Sequence, residues 1–450
     1  MSKDASVVVV DGKVAPRGSN RMRLRLAVAV CLGAFAGLVV VHPAGAQGQV
    51  LTVWDFKSEE PLMKPYFAQV IKTFEARHPG VRVREIAQPE SNFQTVLGTA
   101  VSAGKGPDVA LLHGGEQALQ FADAFVSLTT EVADLVPELT AVRSFQRKDG
   151  SFIGLPISVQ GIIIYYNKDI YKSAGLDPDA APRTWDDLAA VCKAVAARTK
   201  ADCLGVGNKA GAGFSATIDS LTTGAWTLDV RNQFIAGELP WTSKPVREVF
   251  EAFQSIVGNK WIEAGANSYS PYTDIPRMFA GGRLANIIGL VSDAPNAWKN
   301  LEQLIGVGNV GVAMPVAIGR SAQEQPTRLT VSGGIGFGVT KWSPNRDLAI
   351  DYVKIAADQN SELVFMESAG GMPANTKVDT SRLASPVAKQ ILGFMTCCTL
   401  PSRVQDSFLP EERQEMARDG ELLIGGQISV DEMLNRMQQA RNSAKSRRGP

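Results

Sequence analysis

The chain has 450 residues, 45% of them hydrophobic, and its 46 basic and 45 acidic residues nearly cancel, for a formal charge of +1. That length and apolar content suit two or three domains with a large core. The even charge balance gives no reason to expect nucleic acid as a partner.

Arg21, Arg23 and Arg25 precede an apolar run from Leu26 to Val41, and Ala44-Gly45-Ala46 then supplies small residues before Gln47. This pattern predicts a secretory signal segment over 1–46, cut after Ala46, with Met22 as an alternative start. The apolar run is short for a membrane span. Cys31 follows the bulky Val30, which does not suit a lipid-attachment site. The expectation is a periplasmic, soluble protein that is not a lipoprotein. Cleavage removes six basic residues against two acidic ones and leaves the mature chain faintly acidic.

Leu51 to Trp54 reads as a first strand, and Phe67, Val70, Ile71 and Phe74 recur at helical spacing until His78-Pro79-Gly80. Val81 to Ile86 alternates as a second strand. Asn92 is the expected cap of a helix stopped by Gly104, and Pro107 to Leu112 is a third, buried strand. Strand alternating with helix predicts α/β lobes around a parallel sheet.

Asp149-Gly150 opens a turn, Ser158 to Gly161 is short and flexible, and Ile162 to Tyr166 is a continuous apolar strand ending at Asn167. We read the flexible stretch as a hinge crossing between two bodies. Thr184 and Asp187 predict a capping box. The glycines from Gly205 to Gly213 are not expected to follow a strand and precede a basic helix, so no phosphate loop is predicted. Val246, Val249, Phe250, Phe253 and Ile256 mark a helix face. Leu329 to Val339 reads as one strand threading a tight place, Asn345 as a cap, and Ser429 with Glu432 as a second capping box. A basic, frayed tail is expected over 445–450.

Four cysteines survive signal cleavage. Cys192 and Cys203 flank a helix end and are candidates for a local bridge, with two buried free thiols as the alternative. Cys397 and Cys398 are adjacent and awkward as a pair of their own. No C-x-x-C occurs, so zinc and thioredoxin-like readings have no support, and the expectation is no metal and no cofactor.

Asp149 to Pro156, Tyr166-Asn167-Lys168-Asp169 with Lys172 to Asp177, and Pro182 to Leu188 stand in order and spacing like motifs of a known group. Met278 to Ala285, Gly311 to Pro315 and Gly370 to Ala374 continue the likeness. The chain resembles the sugar-binding family of extracellular solute-binding proteins of ABC importers. That resemblance implies a periplasmic-binding-protein-like α/β fold, two lobes joined by a multi-strand hinge, with lobe one at 48–158 plus 335–370 and lobe two at 159–334 plus 371–444. It also implies a monomer that carries a small solute, a sugar or polyol, to membrane permease subunits.

Ligands of open α/β sheets sit beyond the carboxyl ends of the strands. That rule selects Asp55 and Phe56, then His113, Gly114 and Glu116, with Trp54 on the first strand and Gln160 at the crossing. From the other lobe come Asp219, Trp226, Asp293, Gly333, Gly334 and Met372. Aromatic faces and planar carboxylates or amides suit sugar rings and their paired hydroxyls. Gln160 also matches a polar ligand contact of the family's maltose binders. Ser58-Glu59 and Gly115-Glu116 depart from the charged contacts those binders use, which argues against a maltodextrin. An enzyme using Glu116 and Asp293 as paired carboxylates is the alternative class, but no catalytic motif accompanies them. A polyamine or iron binder is a third; Tyr165 and Tyr166 point to opposite strand faces and cannot share one ion.

Overall fold

The computed structural model describes residues 48–292, 294–319, 328–401 and 403–448. The first sheet contains β1 (Gln49–Asp55), β2 (Val81–Ala87), β3 (Val109–His113) and β4 (Gly154–Pro156). β2, β1 and β3 are parallel neighbours, joined through the helices Lys64–Arg77 and Glu90–Ala103. Those helices bury Phe67, Val70, Phe74, Phe93 and Leu97 against the sheet. Gly104, at φ 58°, ends the second helix where a left-handed residue is needed.

The second sheet begins with β5 (Val159–Asn167), followed by β6 (Asp202–Gly205), β7 (Leu284–Leu290), β8 (Val310–Ala313) and β9 (Leu329–Gly333). The chain then returns to the first sheet with β10 (Ile335–Val339), antiparallel to both β3 and β4, and β11 (Thr399–Pro401) joins the second sheet beside β9. The architecture is two-lobed and mixed α/β, with one sheet in each lobe. Alternation along β5 divides its apolar run between two cores. Ile163 and Tyr165 belong to the core that continues from the first sheet, whereas Ile162, Ile164 and Tyr166 face the second. Tyr165 and Tyr166 therefore lie on opposite faces.

The predicted capping box at Thr184 and Asp187 is formed, as is the one at Ser429 and Glu432. All five predicted apolar positions of the helix Lys244–Gly258 are buried. Cys192 and Cys203 are disulfide-bonded.

Several expectations are corrected. Asn92 caps nothing: Pro89, with its fixed φ, precedes a helix that starts at Glu90, where an acidic side chain suits the positive helix end. Asn345 occupies the cap position, but its amide donates to the Val50 carbonyl (3.1 Å) and Asp108 Oδ1 (3.3 Å) instead. The run from Leu329 to Val339 is two strands, one in each sheet, divided at Gly334. The tail is helical through Arg448, with Lys445 Nζ donating to the Gly237 carbonyl. The glycines after Gly205 do follow a strand, while the helix they precede, Ala212–Ala225, carries no basic residue. The amides of Val206 and Gly207 are already taken, donating to the buried Glu263 carboxylate at 3.0 and 2.7 Å. Cys397 and Cys398 are bonded to each other, the helix ending at Cys397 and Cys398 leaving the helical conformation.

Candidate functional site

The two sheets meet at a knot of backbone bonds. Ile157 N–H donates to the Ile335 carbonyl, Gly334 N–H to Ser158, Gly114 N–H to Gly334 and Val159 N–H to Met372, at 2.8–3.0 Å. A Cβ on Gly114 would stand 2.2 Å from the Gly333 carbonyl oxygen, so the chains cross here only because that side chain is absent.

Beside this knot lies a cleft of about 170 Å³. Lys57, Glu60, Glu90 and His113 line it from the first sheet, and Gln160 and Gly334 from the crossings. Tyr272, Leu290, Ser292, Ala294 and Pro295 line it from the second.

The first wall is built on Asp55. Fully buried at the end of β1, its carboxylate accepts from the amides of Lys57 (2.8 Å) and Ser58 (2.6 Å) and from Ser58 Oγ (2.9 Å). This turn holds Lys57 in place, and its Nζ lies 3.0 Å from Glu60 and 3.7 Å from Glu90. Glu90 also meets His113 Nε2 at 3.4 Å, while Phe56 stacks on the His113 ring at 4.4 Å. Burial pushes Glu90 up, but His113 and Lys57 outweigh it and hold the carboxyl below its usual range. Burial, with Asp55 and Glu59 adding repulsion, raises Glu85 beneath the same turn to about 7.

Among the described residues, the second wall is mostly apolar. Tyr272 keeps 43% of its surface exposed, enough ring for a ligand to lie against. It stands in a polar loop just before the helix Asp274–Ala280.

Of the sequence candidates, His113, Gln160 and Gly334 line the cleft. Asp55 and Phe56 support it from beneath. Gly114 and Gly333 belong to the crossing, Gly333 N–H donating to Ser144 Oγ at 2.8 Å. Met372 is buried and contributes its carbonyl there. Trp54 packs, half-buried, against the first core. Glu116 faces a different hollow, lined also by Lys148 and Glu412. Trp226 is a core residue whose Nε1 donates to the Pro245 carbonyl at 2.9 Å. Asp219 is buried in its helix, raised to about 6 by that burial, and accepts from the Val404 amide at 3.0 Å. Asp293 lies outside the described residues.

Sequence reasoning missed Lys57, Glu60, Glu90 and Tyr272. Glu90 follows the carboxyl end of β2, where the strand-end rule applies as it does to β1 and β3. Tyr272, an aromatic isolated among Ser, Pro and Thr, carried a signal of its own. Among the described residues no three His, Cys, Asp or Glu side chains converge to hold a metal, and no helix is long and apolar enough to cross a membrane.

A family model described as bacterial extracellular solute-binding protein matches residues 69–390. The maltodextrin-binding protein MdxE of Bacillus subtilis is 25% identical over 364 residues, covering 78% of this chain and 80% of that one. The sn-glycerol-3-phosphate-binding periplasmic protein UgpB of Escherichia coli is 26% identical over 166 residues, 34% of this chain and 36% of that protein. A solved chitin oligosaccharide binding protein superposes with a TM-score of 0.76 at 20% identity, covering 88% of this chain and 99% of that one. With its two sheets, its crossing strands and a family match over most of its length, the chain belongs to the bacterial extracellular solute-binding proteins.

Proposed function

We propose that this protein captures a carbohydrate or related polyol in the cleft beside Gln160, closes its two lobes on it and presents it to the membrane permease of an ABC importer. Lobe one then comprises 48–158 and 335–370, and lobe two comprises 159–334 and 371–444. The observation that carries this reading is a cleft lined by both sheets and by the strands that cross between them. A solute touching both walls binds the closed form better than the open one, and only that difference drives closure.

The lining favours a sugar. Glu60, Glu90, His113 and Gln160 supply acceptors and donors for hydroxyl groups, while Tyr272, Leu290 and Pro295 offer apolar surface to C–H faces. The relatives, a maltodextrin binder and a glycerol-3-phosphate binder, point the same way. The protein acts as a periplasmic monomer exported by its first 46 residues, without catalysis of its own. N-terminal sequencing of the secreted form then begins at Gln47, and an intact Met1 or Met22 overturns the export.

A thermal-shift screen against sugars, polyols and their phosphates tests the ligand class. A solute at a hundred times its Kd adds about 2.7 kcal/mol to the folded state, a clear rise in Tm. A rise with polyamines or ferric salts and none with any carbohydrate overturns it.

A further inference from the structure

The two disulfides differ in exposure. Cys192 and Cys203 border a hollow of about 640 Å³ but are only 1% and 5% exposed and belong to the second core. Cys397 is exposed at the end of its helix, and Cys398 opens onto a hollow of about 650 Å³ lined also by Asp179, Arg183, Thr184, Met314 and Phe394. A thiolate must reach a sulfur in order to exchange with it, so access separates the two pairs.

The exposed pair also marks a junction. The Cys398 carbonyl accepts from Leu329 N–H at 2.8 Å, the first bond between the strands β11 and β9. Leu329 opens β9, which runs to Gly333 and the crossing at Gly334. Just past β11, Arg403 Nε donates to Ser332 Oγ at 3.1 Å, so the short edge strand is fastened to β9 at both ends. A bond between neighbours closes no chain loop, whereas the buried pair has a sequence separation of 11. Opening the neighbour bond therefore changes local order and leaves the entropy of the unfolded chain almost untouched.

We infer that Cys397–Cys398 is a thiol–disulfide exchange site open to a dithiol reductant, and that its reduction loosens β11 from the strand leading into the Gly334 crossing. One thiolate of the dithiol attacks Cys397 Sγ, a mixed disulfide forms, and Cys398 leaves as a thiolate that takes up a proton. The reductant's second thiol then displaces Cys397, giving two protein thiols and one oxidised reductant. The site does not depend on what the cleft binds.

The test treats the native oxidised protein with graded dithiothreitol, traps thiols with iodoacetamide and locates the label by peptide mass spectrometry. Cys397 and Cys398 should be labelled together at a reductant concentration at least tenfold below that needed for Cys192 and Cys203. Hydrogen exchange on the same samples should quicken at 329–331 and 399–400 on reduction. A Cys397→Ser/Cys398→Ser variant should exchange quickly there with or without reductant. Labelling without reductant, reduction of the buried pair first or at the same concentration, or unchanged exchange at β11 and β9 each overturns the inference.

Discussion

The two walls of the cleft are made differently. The first-sheet wall is charged and held by buried polar groups: Asp55 fixes the turn carrying Lys57, and Glu90 sits between Lys57 and His113. Among the described residues, the second-sheet wall offers Tyr272, Leu290, Ala294 and Pro295, with Ser292 as its one hydroxyl side chain apart from the tyrosine. The difference assigns the work. A wall of preset donors and acceptors selects the orientation of hydroxyl groups, and an apolar wall adds contact area without demanding one pattern. Under the proposed function, specificity resides on the first sheet, and the second supplies the surface that closure brings against the ligand.

Breaking the polar wall should have the largest effect. Glu90→Ala removes a charged acceptor and leaves Lys57 and His113 without that partner; calorimetry with the sugar found by screening should show a loss of about 1.5–3 kcal/mol, roughly ten- to a hundredfold. Loss of affinity smaller than that of Tyr272→Ala would invert the assignment. At the crossing between the walls, Gln160→Ala should weaken binding by about 1–2 kcal/mol while leaving the ligand-free Tm nearly unchanged. Normal affinity with a lowered Tm would make Gln160 purely structural.

On the apolar wall, Tyr272→Ala should lose about 0.5–1.5 kcal/mol of binding. Tyr272→Phe should bind like the wild type if the ring face is what matters, and a loss equal to that of the alanine variant would move the second wall into the polar class. A separate effect, on stability and not on binding, lies beneath the first wall. Burial raises Glu85 from its ordinary 4.5 to about 7 in the folded protein. A raised acid favours folding while protonated, so its contribution fades as pH climbs from about 4.5 to 7. Relative to wild type, Glu85→Gln should gain Tm across that interval, and a constant difference would show that Glu85 does not titrate there.

How far the sequence foretold this molecule depended on the kind of signal. The apolar alternation of β5 and the helix face from Val246 to Ile256 were legible because core burial imposes a period on the chain. The crossing at Gln160 and the glycines at Gly333 and Gly334 were legible because backbone crowding leaves few residue choices. The cleft lining was harder to read. Asp219 and Trp226 have the composition of sugar contacts, yet both are buried, and residue type alone does not tell a buried polar group from a ligand contact. Asp55 was chosen as a contact, whereas its carboxylate is spent on the amides of its own turn, an arrangement that brings in Lys57 two residues later. Tyr272 reaches the cleft from a loop before a helix, not from a strand end, and the strand-end rule does not search there. Cys397 and Cys398 bond across a helix terminus whose position the sequence did not fix to the residue.

Small-angle scattering of the wild-type protein, with and without a saturating carbohydrate found by the thermal screen, tests the central claim most directly. Closure of two lobes on a shared ligand predicts a smaller radius of gyration with the sugar bound. An unchanged radius at full occupancy would contradict capture between the walls.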